Sequence, residues 1–121
     1  MQWQFHADAP IYAQLVEGIT RRIVAGTYPP GSRLPSVRDL AAEAGVNPNT
    51  MQRAMSEMER QGLLHSQRTA GRFVTEDEAV IRALREELAR EEVRSFLAGM
   101  LQLGFRREEI STLLEKEGEI L

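Results

Sequence analysis

Residues 36–62 carry two complete helix signatures back to back, and that pairing constrains the chain more than any other feature in it. Ser36 stands where its side chain can accept a hydrogen bond from a first-turn backbone N–H, and Asp39 approximates a capping box with Asp in place of Glu or Gln. Leu40, Ala41 and Ala44 give this helix a small apolar face, and Gly45 supplies the positive φ that closes it. Asn47 is a second good cap. Pro48 follows at the first helical position, where its missing N–H costs nothing, so a new helix begins at once and runs to about Gln61 before Gly62 stops it. Two capped helices joined by a short glycine-containing turn make a helix-turn-helix.

The flanks complete a larger unit. Pro10 opens a helix in which Ile11, Leu15, Ile19 and Ile23 recur every four residues beside Val16, with Glu17, Thr20, Arg21 and Arg22 on the opposite face. Tyr28-Pro29-Pro30-Gly31 forces a turn, and Pro35 holds Arg33-Leu34 extended. The second helix of the motif buries Met51, Ala54, Met55 and Met58. Leu63–Gln67 and Arg72–Thr75 then read as two strands joined by the basic tip Arg68-Thr69-Ala70-Gly71. Three helices and a two-stranded wing predict a winged helix-turn-helix over residues 1–75.

Residues 76–121 read as helical. Val80, Leu84, Leu88, Val93, Phe96, Leu97, Met100 and Leu101 form one long stripe, and a second helix beyond Gly104 carries Ile110, Leu113 and Leu114. Two helices cannot enclose a core alone, so a partner surface is expected: a second copy of the chain is the simplest one, and the alternative is that these helices pack back on their own winged helix. Leu84, Leu88, Phe96, Leu97, Met100, Leu101, Ile110, Leu113 and Leu114 are the predicted homodimer contacts. The fold class is therefore mainly α with a small β-hairpin: an N-terminal winged helix-turn-helix plus a short C-terminal two-helix dimerisation domain.

In a helix-turn-helix the N-terminal residues of the second helix meet base edges in the major groove while the preceding helix crosses the phosphate backbone. Here those tips are Asn47, Asn49, Thr50, Gln52 and Arg53. Asn and Gln can pair bidentately with adenine, Arg with guanine, and Thr can serve a thymine methyl or a phosphate. The positive dipole ends at Ser36 and Asn47 favour phosphate oxygens, and Arg68 and Arg72 are placed for wing contacts with the backbone or minor groove. Taken singly, such residues are only good caps; the helix before them and the wing after them make a reader of DNA. The competing class, a winged helix that docks protein and not DNA, calls for an apolar or acidic recognition face, whereas Asn49, Gln52, Arg53 and Gln61 are polar or basic.

The net charge of -3 conceals two opposite halves. Residues 1–75 hold eight arginines against six carboxylates, a net +2, and residues 76–121 hold seven basic groups against twelve acidic ones, a net -5. The N-terminal part is thus suited to a polyanion and the acidic part to pointing away from it. With no cysteine, thiolate sites and disulfides are excluded. His6 and His65 are too few and too far apart for a metal site, and Glu86-Glu87 and Glu91-Glu92 belong to a solvated helix face with i,i+4 arginines, so neither an enzyme nor a cofactor or metal is expected. No stretch approaches the roughly 18–20 apolar residues that cross a bilayer, and the first residues lack a basic region followed by an apolar core; a cytoplasmic protein without membrane contact is expected. A small-molecule effector, if one binds, would lodge between domains or across the dimer.

Taken together, Pro10-Ile11-Tyr12-Ala13-Gln14-Leu15, Gly26-Thr27-Tyr28, Pro30-Gly31-Ser32-Arg33-Leu34-Pro35-Ser36-Val37-Arg38-Asp39-Leu40-Ala41, Val46-Asn47-Pro48-Asn49-Thr50-Met51-Gln52-Arg53-Ala54 and Glu59-Arg60-Gln61-Gly62-Leu63 resemble the N-terminal domain of GntR-family bacterial transcription regulators. Leu103-Gly104-Phe105-Arg106-Arg107-Glu108-Glu109-Ile110 is similar to the YtrA subfamily, whose effector domain is reduced to two helices that pair in a homodimer. The resemblance implies a repressor on a palindromic operator, often ahead of its own operon with transporter genes. It implies that Arg38 contacts phosphate or a guanine, that Asn47, Asn49 and Thr50 sit on phosphates and base edges, that Arg53 lies along the recognition helix, and that Arg68 and Gly71 belong to the wing. The wing departs from the family pattern: Thr69 and Ala70 stand in a Gly-x-Gly setting, and Arg72 replaces the usual Thr.

Overall fold

The computed structural model describes residues 3–118; Met1, Gln2 and the last residues of the expected C-terminal domain, 119–121, lie outside the described residues. The elements run α1 (Ile11–Val24), α2 (Val37–Ala44), α3 (Pro48–Arg60), β1 (Leu64–Gln67), β2 (Gly71–Val74), α4 (Glu78–Gln102) and α5 (Arg107–Gly118). Local chemistry sets the boundaries of the central pair. The Ser36 hydroxyl accepts from the Asp39 N–H at 3.0 Å, and Gly45 closes α2 at φ 71°. Asn47 Oδ1 accepts from the Asn49 N–H at 2.7 Å, with Pro48 directly behind it. Each cap satisfies a donor that the helix itself leaves unpaired.

The winged-helix core is built on α3. Met51, Ala54, Met55 and Met58 lie on one face of the helix and are completely buried against Leu15, Ile19 and Ile23 of α1, Leu40 and Ala41 of α2, and Leu63, Leu64 and Val74 of the hairpin region. Burying one stripe of a helix turns the opposite one to solvent, and Asn49, Gln52, Arg53, Ser56 and Arg60 are all exposed. β1 and β2 pair antiparallel from Leu64↔Val74 to Gln67↔Gly71. The extended piece before α2 also joins the wing: the Leu34 N–H donates to the Arg72 carbonyl at 2.9 Å, the Val74 N–H donates to the Ser32 carbonyl at 2.9 Å, and Arg33 bridges Phe73. Sequence patterning assigned Arg33-Leu34 no partner, because a single ladder position leaves no alternation to read.

The far side of α1 differs from expectation. Thr20 and Arg22 are buried, not exposed, and Arg22 lies beneath the segment before α1. The Trp3 ring lies 3.8 Å from the Arg22 guanidinium and stacks on Phe5, and the Thr20 hydroxyl donates to the Val16 carbonyl at 2.7 Å. Gln14 anchors the strap: its carbonyl oxygen accepts from the His6 N–H at 3.0 Å, and its amide donates to the His6 and Ala9 carbonyls, both at 2.8 Å.

Two compact units are distinguished, Met1–Arg85 and Glu86–Leu121. The first turns of α4 belong with the winged helix, since Val80, Ile81 and Leu84 pack on its core. In the second unit, the Phe105 N–H donates to the Met100 carbonyl and the Gly104 N–H to the Leu101 carbonyl, closing α4. The Arg106 N–H then donates to Glu109 at 3.0 Å and opens α5. Ile110 is buried in this unit, while Val93, Phe96, Leu97, Leu101, Leu103 and Leu114 remain exposed.

Gly18 is the tight point beneath the strap, since a Cβ there would lie 2.6 Å from the Trp3 ring. Gly18→Ala therefore expels the ring, and the lost packing outweighs the helix gain of about 0.5–1 kcal/mol, leaving the protein less stable by about 1 kcal/mol. Emission of Trp3, the sole tryptophan, should move to the red. An unshifted spectrum with a raised melting temperature would contradict this packing.

Candidate nucleic-acid interface

Helix α3 presents its polar stripe between two clefts. One, of about 360 Å³, lies between the starts of α1 and α3 and is lined by Pro10, Ile11, Tyr12, Asn49, Thr50 and Arg53. The other, of about 290 Å³, lies between the start of α2 and the wing, with Arg33, Pro35, Ser36, Arg68, Gly71 and Arg72 among its lining residues. A helix in the major groove meets a sugar-phosphate strand on each side; the first cleft brings Arg53 to one flank of α3, and the second brings Arg33, Arg68 and Arg72 to the other.

The expected site residues take distinct positions. Ser36 and Asn47 direct a side-chain oxygen into their own helix caps, so they act first by fixing where α2 and α3 begin. Asn49 and Gln52 are exposed on the outward stripe, Gln52 donating to the Ser56 hydroxyl at 3.3 Å, and Thr50 is half-buried. Arg38 is exposed on the first turn of α2. Arg53 is exposed but leans toward α1, its guanidinium 3.7 Å from the centroid of the Tyr12 ring. Arg68 is exposed at the wing tip, where the Ala70 N–H donates to the Gln67 carbonyl.

Arg72 occupies a different place from the one expected. It points back from the wing to the end of α3, where its Nε donates to Glu59 Oε1, and the Ser66 hydroxyl donates to the same oxygen. Arg72 and Ser66 are paired across the hairpin, which puts both side chains on the face that looks at α3. Arg72 thus braces the wing and is not a loose cation at its tip. Its neighbour Gly71 adopts φ 105°, and a Cβ there would lie 3.0 Å from Arg33 Nε, so the absence of a side chain lets Arg33 cross the hairpin. Arg33 and Tyr12 were missed in the sequence: the signal available was an arginine beside the Leu34-Pro35 stop and a tyrosine with no polar partner in its own helix.

The expected pairing residues also separate. Phe96, Leu97, Leu101 and Leu114 are exposed, and Leu88, Met100 and Leu113 are half-buried. Leu84 is instead taken up by the winged-helix core, and Ile110 is already buried within its own unit. Among the described residues no three His, Cys, Asp or Glu side chains gather as a metal site, and no helix is long and apolar enough to cross a membrane.

Residues 11–74 match the family described as bacterial regulatory proteins, gntR family. The chain belongs to the GntR family. The chain is 41% identical over 110 residues to the uncharacterized HTH-type transcriptional regulator YhcF of Bacillus subtilis, a match that covers 91% of each protein. A solved GntR family transcriptional regulator from Listeria monocytogenes superposes with a TM-score of 0.82 at 38% identity, over 93% of this chain and 98% of that one. The DNA-binding domain of AraR, solved in complex with operator ORX1, matches 62% of this chain and 99% of its own length at a TM-score of 0.56 and 29% identity. This GntR chain is accordingly a DNA-binding transcription regulator of the winged helix-turn-helix type, and not an enzyme.

The Glu59 brace carries a pH signature. The Ser66 hydroxyl foremost, and after it the Arg72 guanidinium, hold the Glu59 carboxyl below its ordinary range, against the desolvation that would raise it. A depressed folded-state value means that the stabilisation is full above the unfolded carboxylate range, about 4.3, and is lost as pH falls through the folded value. Glu59→Gln should therefore lose stability at pH 7 and show a shallower decline than the parent protein in denaturant melts taken down to pH 3. Parallel pH profiles for the two proteins would remove Glu59 from this role.

Proposed function

We propose that the protein is a homodimeric repressor that reads a palindromic operator, with one α3 helix in each of two successive major grooves. The observation that carries this reading is the outward stripe of α3, Asn49, Gln52, Arg53 and Ser56, held rigidly by four completely buried residues on its other face. Asn49 and Gln52 supply base-edge donors and acceptors, and Arg38, Arg33 and Arg68 neutralise phosphates on the α2 and wing flank. The operator complex of the related AraR domain supports the same use of the fold.

Dimerisation follows from surface chemistry. Phe96, Leu97 and Leu101 leave an apolar stretch of α4 in water, and Leu114 does so on α5. A two-fold partner covers such a stretch with its own copy, and recognition helices spaced by one duplex turn, roughly 34–36 Å, require a palindrome. A dimer seated on a promoter excludes polymerase, which makes repression the natural outcome. The resemblance to the YtrA subfamily makes the protein's own operon the first target to test. The reading places the protein in the cytoplasm, with the chromosome.

Selection from a random duplex pool should recover a palindrome. On it, Arg38→Ala should weaken binding by about 1–3 kcal/mol if the arginine reads a guanine bidentately, and should instead lower the salt slope by about one if it holds a phosphate. Undiminished affinity at every salt concentration would count against the assignment. Separately, Leu97→Asp should sediment as a monomer at micromolar concentration and bind half-sites without cooperativity; a dimer that survives the charge would move the interface away from α4.

A further inference from the structure

We infer that Tyr12 is a positioning residue for operator binding: its ring holds Arg53 on the α1 flank of the recognition helix, where the guanidinium meets the sugar-phosphate strand and not a base edge. The inference rests on the operator-binding reading above and narrows it to one side chain.

Arg53 lies on the solvent-facing stripe of α3 and could adopt many rotamers, but its guanidinium is 3.7 Å from the Tyr12 ring centroid. A guanidinium lying over a ring uses its face for the contact and leaves its N–H donors free at the edges. None of those donors makes a hydrogen bond among the described residues, and the ring sits in a cleft also lined by Pro10, Ile11, Asn49 and Thr50. The side chain is therefore ordered before DNA arrives while its donors stay available. Ordering a long side chain in advance removes part of the entropy lost on binding. The direction of the lean matters equally, since it carries the charge away from the middle of the α3 stripe and leaves Asn49 and Gln52 as the base-facing pair. Tyr12 itself is half-buried at the start of α1.

The test uses full-length protein and the duplex recovered by selection, with fluorescence anisotropy at several salt concentrations and binding to every single-base operator variant. Tyr12→Leu should weaken binding about threefold to fivefold, the size of an exposed cation–π contact, with little added loss when combined with Arg53→Ala. Tyr12→Phe, which keeps the ring, should bind as the parent protein does. Arg53→Ala should lower the salt slope by about one while leaving base preference unchanged at each position. Arg53→Lys, at an exposed site on which folding does not depend, probes the same contact from the other side and should be weakened like Tyr12→Leu. The inference is overturned if Tyr12→Leu is folded and binds normally, if Tyr12→Phe is as weak as Tyr12→Leu, or if Arg53→Ala relaxes preference at one base pair. Failure of the parent protein to recover any duplex would bring down the operator-binding reading as well, whereas normal parent binding with an indifferent Tyr12→Leu removes only this one.

Discussion

The structure depends on the burial of one face of a single short helix. Met51, Ala54, Met55 and Met58 are inaccessible to water, and each borders side chains from α1, α2 or the hairpin region. Removing this much apolar surface from water is the main stabilising contribution that a helix of such polar composition can obtain. Methionine suits the position because its unbranched chain fills the irregular gaps between three helices and a hairpin. Rotating α3 about its axis would expose sulfur and methyl groups and bury Gln52 or Arg53 without partners, so the orientation of the outward stripe is set by the core.

A second constraint links the wing to that helix. Glu59, one residue before the end of α3, accepts from Ser66 on β1 and from Arg72 on β2, while the Ser32–Leu34 backbone pairs with the outer edge of β2. The hairpin is thus tied on one side to α3 and on the other to the residues that lead into α2. The wing is four residues per strand, and hairpins of this size are at best marginal in isolation. Its placement comes from these ties. They hold Arg33, Arg68 and the start of α2 around one cleft on the wing flank, while Tyr12 and Arg53 sit at the cleft on the other flank.

The second unit obeys a different logic. No residue of α4 is fully buried, and α5 buries only Ile110 among the described residues. A pair of helices with Phe96, Leu97, Leu101 and Leu114 in water has too little core of its own, whereas a two-fold partner would complete it. On the proposed homodimer, stability placed at the partner surface would also couple folding of this part to protein concentration.

Most of the winged helix was legible in the sequence because its signals are local. Ser36, Gly45, Asn47 and Pro48 act on backbone groups within four residues of themselves, and the 51, 54, 55, 58 spacing states the helical period directly, so element order, helix limits and the direction of the α3 stripe could be read from the chain alone. What tertiary structure decided were contacts between residues distant in sequence: Trp3 on Arg22, Arg72 turned back to Glu59, Arg33 laid across Gly71, Arg53 resting on Tyr12, and Leu84 taken into the winged-helix core. Long side chains such as arginine have no preferred direction in isolation. Only the packed neighbours supply the ring, carboxylate or side-chain-free backbone that selects one.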